Sequence, residues 1–205
     1  MGARVVGETR RPVLTAPPPV AEGELPWREA PASGAGEAGR ASAAAPIYIL
    51  EPVAIAVDAH VRDQERRGGE ALGLLVGDWA LDGEGAPYTV ALESTTGPLA
   101  STPFSVRFTP EGLAQVVRRR GQHGHVGGQL LIVGWYHSHL GIGCFMSDVD
   151  LRTQRAGFPH AHQHALVVDP RAGTAAAFSN GPDGPGTARA RLVAARRWER
   201  PAREI

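Results

Sequence analysis

Gly134-Trp-Tyr-His-Ser-His-Leu-Gly-Ile-Gly-Cys-Phe-Met-Ser-Asp-Val-Asp150 follows directly on an apolar run that starts at Leu130. A short uninterrupted apolar run reads as a buried strand. Strand side chains alternate between faces, so His137 and His139, two apart at the strand's end, project the same way and can converge on one ion. Ser147 reads as the N-cap of a helix running to about Ala156. Residues three apart share a helix face, so Ser147 and Asp150 point together. The seven residues between His139 and Ser147 are enough to bring the first helical turn back over the strand end. Two imidazoles and a carboxylate suit a catalytic zinc that keeps its fourth position for water. Such a site needs a general base from another element. Glu70, at the mouth of the apolar run Glu70-Ala-Leu-Gly-Leu-Leu-Val-Gly77, ranks first, with Glu65 and Glu93 left open because spacing does not place strand ends in space.

Outward from this centre the chain alternates strands and helices. Ile47 to Leu50 and Tyr88 to Ser94 read as strands, and Phe104 to Phe108 as extended. Pro52 to Arg67 spaces Val53, Ala56, Val57 and Val61 as a helix closed by Gly68-Gly69. Thr109-Pro110-Glu111 opens another helix, with a cap, a proline in the first turn and an early acid, running to Arg120. Arg118 to Arg120 sit where its dipole favours positive charge, a solvated helix end. His164 to Asp169 and Thr174 to Ser179 read as strands joined by a turn, and Ala188 to Ala195 as a last strand or helix. The class is α/β, a sheet packed by helices.

From about Thr15 to Pro46 the sequence is Ala, Pro, Gly, Glu and Ser with few aliphatics, a composition that does not offset its ordering entropy. The expected organisation is therefore a disordered tail over 1–46 with Trp27 exposed, a domain over 47–197, and a charged end over 198–205. The 21 basic and 21 acidic residues cancel, which argues against nucleic acid or an anionic membrane as partner. A single cysteine, Cys144, excludes an intramolecular disulfide framework. No apolar run approaches the roughly 20 residues of a membrane span, and no signal-peptide core is present. The cytoplasm is the expected location.

The spacing H-x-H-x7-S-x2-D over His137, His139, Ser147 and Asp150 resembles the motif of the JAMM (MPN+) metalloproteases, including the deubiquitinating subunits of the proteasome lid and the signalosome. Glu70 to Gly77 resembles that family's catalytic-glutamate strand, and Val167-Val168-Asp169-Pro170 its later strand-to-turn signature. The resemblance runs from about Ile47 to the C-terminus. It implies a JAMM/MPN fold of the cytidine-deaminase-like class, a mixed curved sheet flanked by helices. It also implies one zinc ion on His137, His139 and Asp150, with Glu70 as general base then acid and Ser147 stabilising the oxyanion. The implied reaction is hydrolysis of the amide after the C-terminus of a ubiquitin-like protein, in conjugates or precursors, beside activating and conjugating enzymes. Leu140 stands where the family commonly has proline, which loosens the following loop without touching a ligand.

Release of a small group or amino acid from a ubiquitin-fold sulfur-carrier protein would use the same five residues. A non-catalytic MPN scaffold would typically lack the ligands. A cytidine deaminase is opposed by the absence of H-x-E with a paired P-C-x-x-C. His123 and His125, and His160, His162 and His164, carry no downstream Ser-x-x-Asp and read as loop or surface histidines. Cys144 reads as a packing residue. All 21 basic residues are Arg. Compositional bias accounts for that; the sharper alternative is an enzyme with no lysine acceptor of its own.

Overall fold

The computed structural model describes residues 14–31, 44–122, 124–125, 128–181 and 183–199. The rest of the stretch read as tail, the C-terminal 200–205, His123 and the side chains of 119–129 lie outside the described residues. The elements run β1 (Arg28–Glu29), β2 (Ala44–Leu50), α1 (Glu51–Arg66), β3 (Leu72–Leu81), β4 (Pro87–Thr95), β5 (Leu99–Thr102) and β6 (Ser105–Phe108). They continue with α2 (Pro110–Gln122), β7 (Gly124–His125), β8 (Gly128–Gln129), β9 (Leu131–Ser138), α3 (Asp148–Gly157), β10 (His164–Asp169), β11 (Thr174–Gly181) and β12 (Gly184–Ala195).

The main sheet is mixed, in the order β1-β11-β10-β9-β3-β4-β2-β12, and an added β11–β12 pairing joins its two ends into a ring. Closure removes most of the exposed edge that an open sheet would offer to other chains. The α/β expectation holds, and the last segment is a strand rather than a helix, because it is the piece that closes this ring.

Helix α1 begins beside a proline, carries Glu51 in its first turn and Arg66 in its last, and is followed by Gly68 at φ +75°. It buries Val53, Ala54, Val57 and Val61 against Ile47, Ile49, Leu75, Val133, Tyr136 and Leu166. Each fully buried side chain of this size contributes about 1.5–3 kcal/mol. β10 is covered on both faces: Leu166 and Val168 meet the α1 core, while Val167 packs with Ala30, Cys144 and Ala176. This is why Leu166 to Val168 reads as a continuous apolar run. Cys144 is a packing residue, with its Sγ 3.5 Å from the Thr174 carbonyl.

One expectation is corrected. Residues 14–31 are not a disordered tail but a strap laid across the domain. Leu14 and Ala16 exchange backbone hydrogen bonds with Leu81, Glu22 bonds to Ala194, and β1 pairs in parallel with β11. Trp27 is buried in the main core, and its Nε1 donates to Asp58 at 2.9 Å. The compositional argument fails here because the strap forms no core of its own. It borrows strand edges and one pocket from a core that already exists, so few apolar residues suffice. Trp198 packs at the other end, against the cluster of Leu14, Tyr88 and Val90. Among the described residues no helix is long and apolar enough to cross a membrane.

Candidate metal centre

β3 and β9 are antiparallel, with Leu72 directly opposite His137. Opposed residues share a face, and extending the register by two brings Glu70 opposite His139. The junction is sewn by the Ser138 hydroxyl, which accepts from Ala71 N at 2.8 Å, and by Ser138 N, which donates to the Ala71 carbonyl. Glu70 is also held from the hairpin β5–β6: its N–H donates to the Thr102 carbonyl and its carbonyl accepts from Ser101 Oγ at 2.7 Å. The Glu70 carboxyl is buried, and burial, opposed by His139 and reinforced by Asp150, pushes it up to about 7.

Helix α3 supplies the acid. Ser147 is its N-cap in a capping box: Ser147 Oγ accepts from Asp150 N, and Asp150 Oδ2 accepts from Ser147 N at 2.8 Å. The Ser147 hydroxyl donates to the same oxygen at 2.6 Å. The cap that starts the helix is therefore also the device that aims the carboxylate.

His137 Nε2 and His139 Nε2 lie 3.2 Å apart, and the two Asp150 oxygens lie 3.3 Å and 3.7 Å from them. All three donor atoms fall within 4.8 Å of one another, on three buried residues. Donors about 2.0–2.1 Å from one tetrahedral ion lie about 3.3–3.4 Å apart, so the set fits a shared metal ion. Burial alone would raise the Asp150 carboxyl, but the imidazoles of His137 and His139 beside it hold it well below the usual carboxylate range. Burial pushes His137 down, whereas for His139 the nearby Asp150 carboxylate and the bond to Gly143 outweigh burial and raise it.

The triad lines a cavity of about 380 Å³ together with Glu70, Ser147, Trp135 and the hairpin residues Phe104 to Phe108. Its rim carries four exposed apolar side chains, Phe104, Ile142, Phe145 and Val149. All five residues singled out in the sequence therefore meet in one place. Glu65 is elsewhere, paired with Arg171, and Glu93 does not line this cavity. Three contributors were missed. Trp135 stacks on His137 with ring centroids 4.7 Å apart, its position two before His137 on β9 being the available signal. The fully buried Gln154 accepts from Trp135 Nε1 at 2.7 Å and donates to Phe158 O, Gln163 O and Asn180 Oδ1. The hairpin wall had no signal, since only one of its strands read as extended.

Residues 46–157, more than half of the chain, match the model of the family described as JAB1/Mov34/MPN/PAD-1 ubiquitin protease. The 26S proteasome regulatory subunit RPN11 of Eremothecium gossypii is 35% identical over 105 residues, covering 49% of this chain and 31% of that protein. COP9 signalosome complex subunit 5b of Arabidopsis thaliana is 32% identical over 108 residues, 51% of this chain and 29% of that protein. The matched part thus spans about a third of the length of these relatives. The solution structure of protein DSY2949 from Desulfitobacterium hafniense shares the fold, with a TM-score of 0.50 at 20% identity over 75% of this chain and 95% of that one.

Proposed function

This chain belongs to the JAB1/Mov34/MPN/PAD-1 ubiquitin protease family, and on that premise we propose that it is a zinc-dependent peptidase cleaving the amide bond after the C-terminus of a ubiquitin-like protein. The observation that carries the reading is the convergence of His137, His139 and Asp150 on a cavity that Glu70 also lines. His137, His139 and Asp150 would hold the metal, which supplies Lewis acidity and makes water a usable nucleophile near neutral pH. Glu70 takes the proton of the attacking water and returns it to the leaving amine. Its raised carboxyl pKa, about 7, suits a group that must work as base and then as acid. Ser147 stabilises the oxyanion once its hydroxyl turns from Asp150 to the substrate, leaving the backbone half of the capping box to hold the carboxylate. Phe104, Ile142, Phe145 and Val149 give the rim the apolar character that an extended substrate tail would contact.

The partners of this reading are a ubiquitin-like protein, its conjugates, and cognate activating and conjugating enzymes in the cytoplasm. The test is metal content by mass spectrometry together with cleavage of a ubiquitin-like fusion. Wild type and Glu70→Gln should each carry one zinc, with cleavage in Glu70→Gln lower by about 10²–10⁴-fold. Absence of metal from wild type supplied with zinc, or full activity in Glu70→Gln, sinks the reading.

A further inference from the structure

His139 is oriented by a loop whose own backbone is permissive. Its Nδ1 lies 2.8 Å from the Gly143 carbonyl. A carbonyl only accepts, so this contact puts a proton on Nδ1 and, in the neutral ring that binds a metal, leaves the Nε2 lone pair facing the cavity. Gly141 and Gly143 adopt φ of +90° and +87°, a region open chiefly to glycine. Leu140 provides none of the φ restraint of a proline. Something outside the loop must hold the Gly143 carbonyl in place.

β10 runs parallel to β9, with Val168 beside Ser138, so the next residue, Asp169, arrives beside His139. Asp169 is fully buried. One of its oxygens accepts from Gly141 N at 3.1 Å and from the amides of Arg171 and Ala172; the other accepts from Gly143 N at 2.8 Å. Arg171, tethered by its own amide, reaches back to donate from Nη1 to the Leu140 carbonyl at 3.0 Å and from Nε to Glu65 at 3.3 Å. The loop is thus gripped at Leu140, Gly141 and Gly143 from a single turn.

We propose that Asp169, assisted by Arg171, is a positioning residue for metal binding: it fixes the Gly143 carbonyl, which in turn fixes the tautomer and direction of His139. The proposal rests on the reading of His139 as a metal ligand. It assigns a role to the Val-Val-Asp-Pro turn, and it places in a hydrogen-bonded clamp the stiffness that Leu140 does not provide.

The experiment is zinc affinity by chelator competition, run beside side-chain ¹⁵N NMR of the histidines in metal-free protein at a pH high enough to keep His139 neutral. In Asp169→Asn an amide nitrogen replaces one acceptor oxygen. Zinc affinity should fall about 10–100-fold, the usual effect of losing such an outer partner, and the His139 signals should shift from the Nδ1–H form toward a mixture. Arg171, more than half exposed along its side chain, is a milder probe. Arg171→Ala should weaken zinc less, and Leu140→Pro in that background should restore it, a rescue that a merely structural role for Arg171 does not explain. Affinity within about two-fold of wild type in both single variants, with the His139 tautomer unchanged, overturns the proposal. If Asp169→Asn does not fold, Arg171→Ala and its rescue decide on the same criteria. Failure of wild type to bind zinc would remove the enzymatic reading, while the metal-free tautomer measurement would still decide whether the clamp acts on His139.

Discussion

Two groups of alternating histidines sit at opposite ends of the paired strands β9 and β10. His137 and His139 mark the C-terminal end of β9, and His160, His162 and His164 lead into β10. At the first, ring nitrogens converge and a third element brings a carboxylate to them. At the second, the rings turn to other partners. His162 lies flat on Trp79, with centroids 5.3 Å apart, and His160 lies flat on His162 at 5.4 Å. His164 faces the Ala45 carbonyl with Nε2, at 3.0 Å, and the His162 carbonyl with Nδ1. Burial, followed by the neighbouring His160 and His164, pushes His162 down to about 4. Histidine spacing is common to both groups. The candidate metal centre is set apart by nitrogens aimed at one point and an acid aimed there too. The reading of the second group as loop or surface residues needs one correction: His164 is fully buried in β10, where its ring can donate to one of the two backbone carbonyls it faces.

The sharpest way to break this contrast is paired removal. His137→Ala/His139→Ala should abolish stoichiometric metal and all cleavage, while His160→Ala/His162→Ala keeps one ion per chain, as measured by mass spectrometry. Equal metal loss in both double variants would show that convergence is not what distinguishes the two ends.

A second test concerns the scaffold beneath the first group. Gln154 connects Trp135, which stacks on His137, to carbonyls at the two ends of the loop between α3 and β10 and to Asn180. Gln154→Leu strands several buried polar partners and should cost about 4 kcal/mol, taking about 1–3 kcal/mol for each group left unsatisfied. Urea unfolding measures it, and a loss below about 1 kcal/mol would mean that the network contributes little.

The smallest effect is the pH dependence of the metal-free protein. Glu70 is raised from 4.5 to about 7 in the folded state, so between these values the native chain holds a proton that the unfolded chain has released. Stability is therefore fully present below about 4.5 and falls as pH rises through about 7, by no more than about 3 kcal/mol. Glu70→Gln should flatten that part of the profile. An unchanged slope in chelator-treated samples would assign it to other groups.

Much of this molecule was legible before any coordinates. Helix α1 declared itself through Val53, Val57 and Val61, β9 through its unbroken apolar run, and α3 through the cap at Ser147, because local periodicity and capping are properties of adjacent residues. Four of the site residues, His137, His139, Ser147 and Asp150, were legible for the same reason, each standing at the end of a readable element, whereas Glu70 only ranked ahead of Glu65 and Glu93. What was not legible depended on contacts between distant segments. Trp27 and the strap needed a core already built to dock on. The placing of Glu70 rather than Glu93 followed from the pairing of Leu72 with His137, and the role of Asp169 from the parallel register of β10 on β9.

By itself, then, the sequence determined the elements, the ligand types and their spacing, since these follow from backbone geometry over a few residues. Only the tertiary structure decided which strand ends meet, which histidines converge and which stack, and which buried carboxylate steers the His139 loop. Those outcomes depend on strand register and ring closure, which are set by the joint burial of segments far apart in the chain and not by any one of them alone.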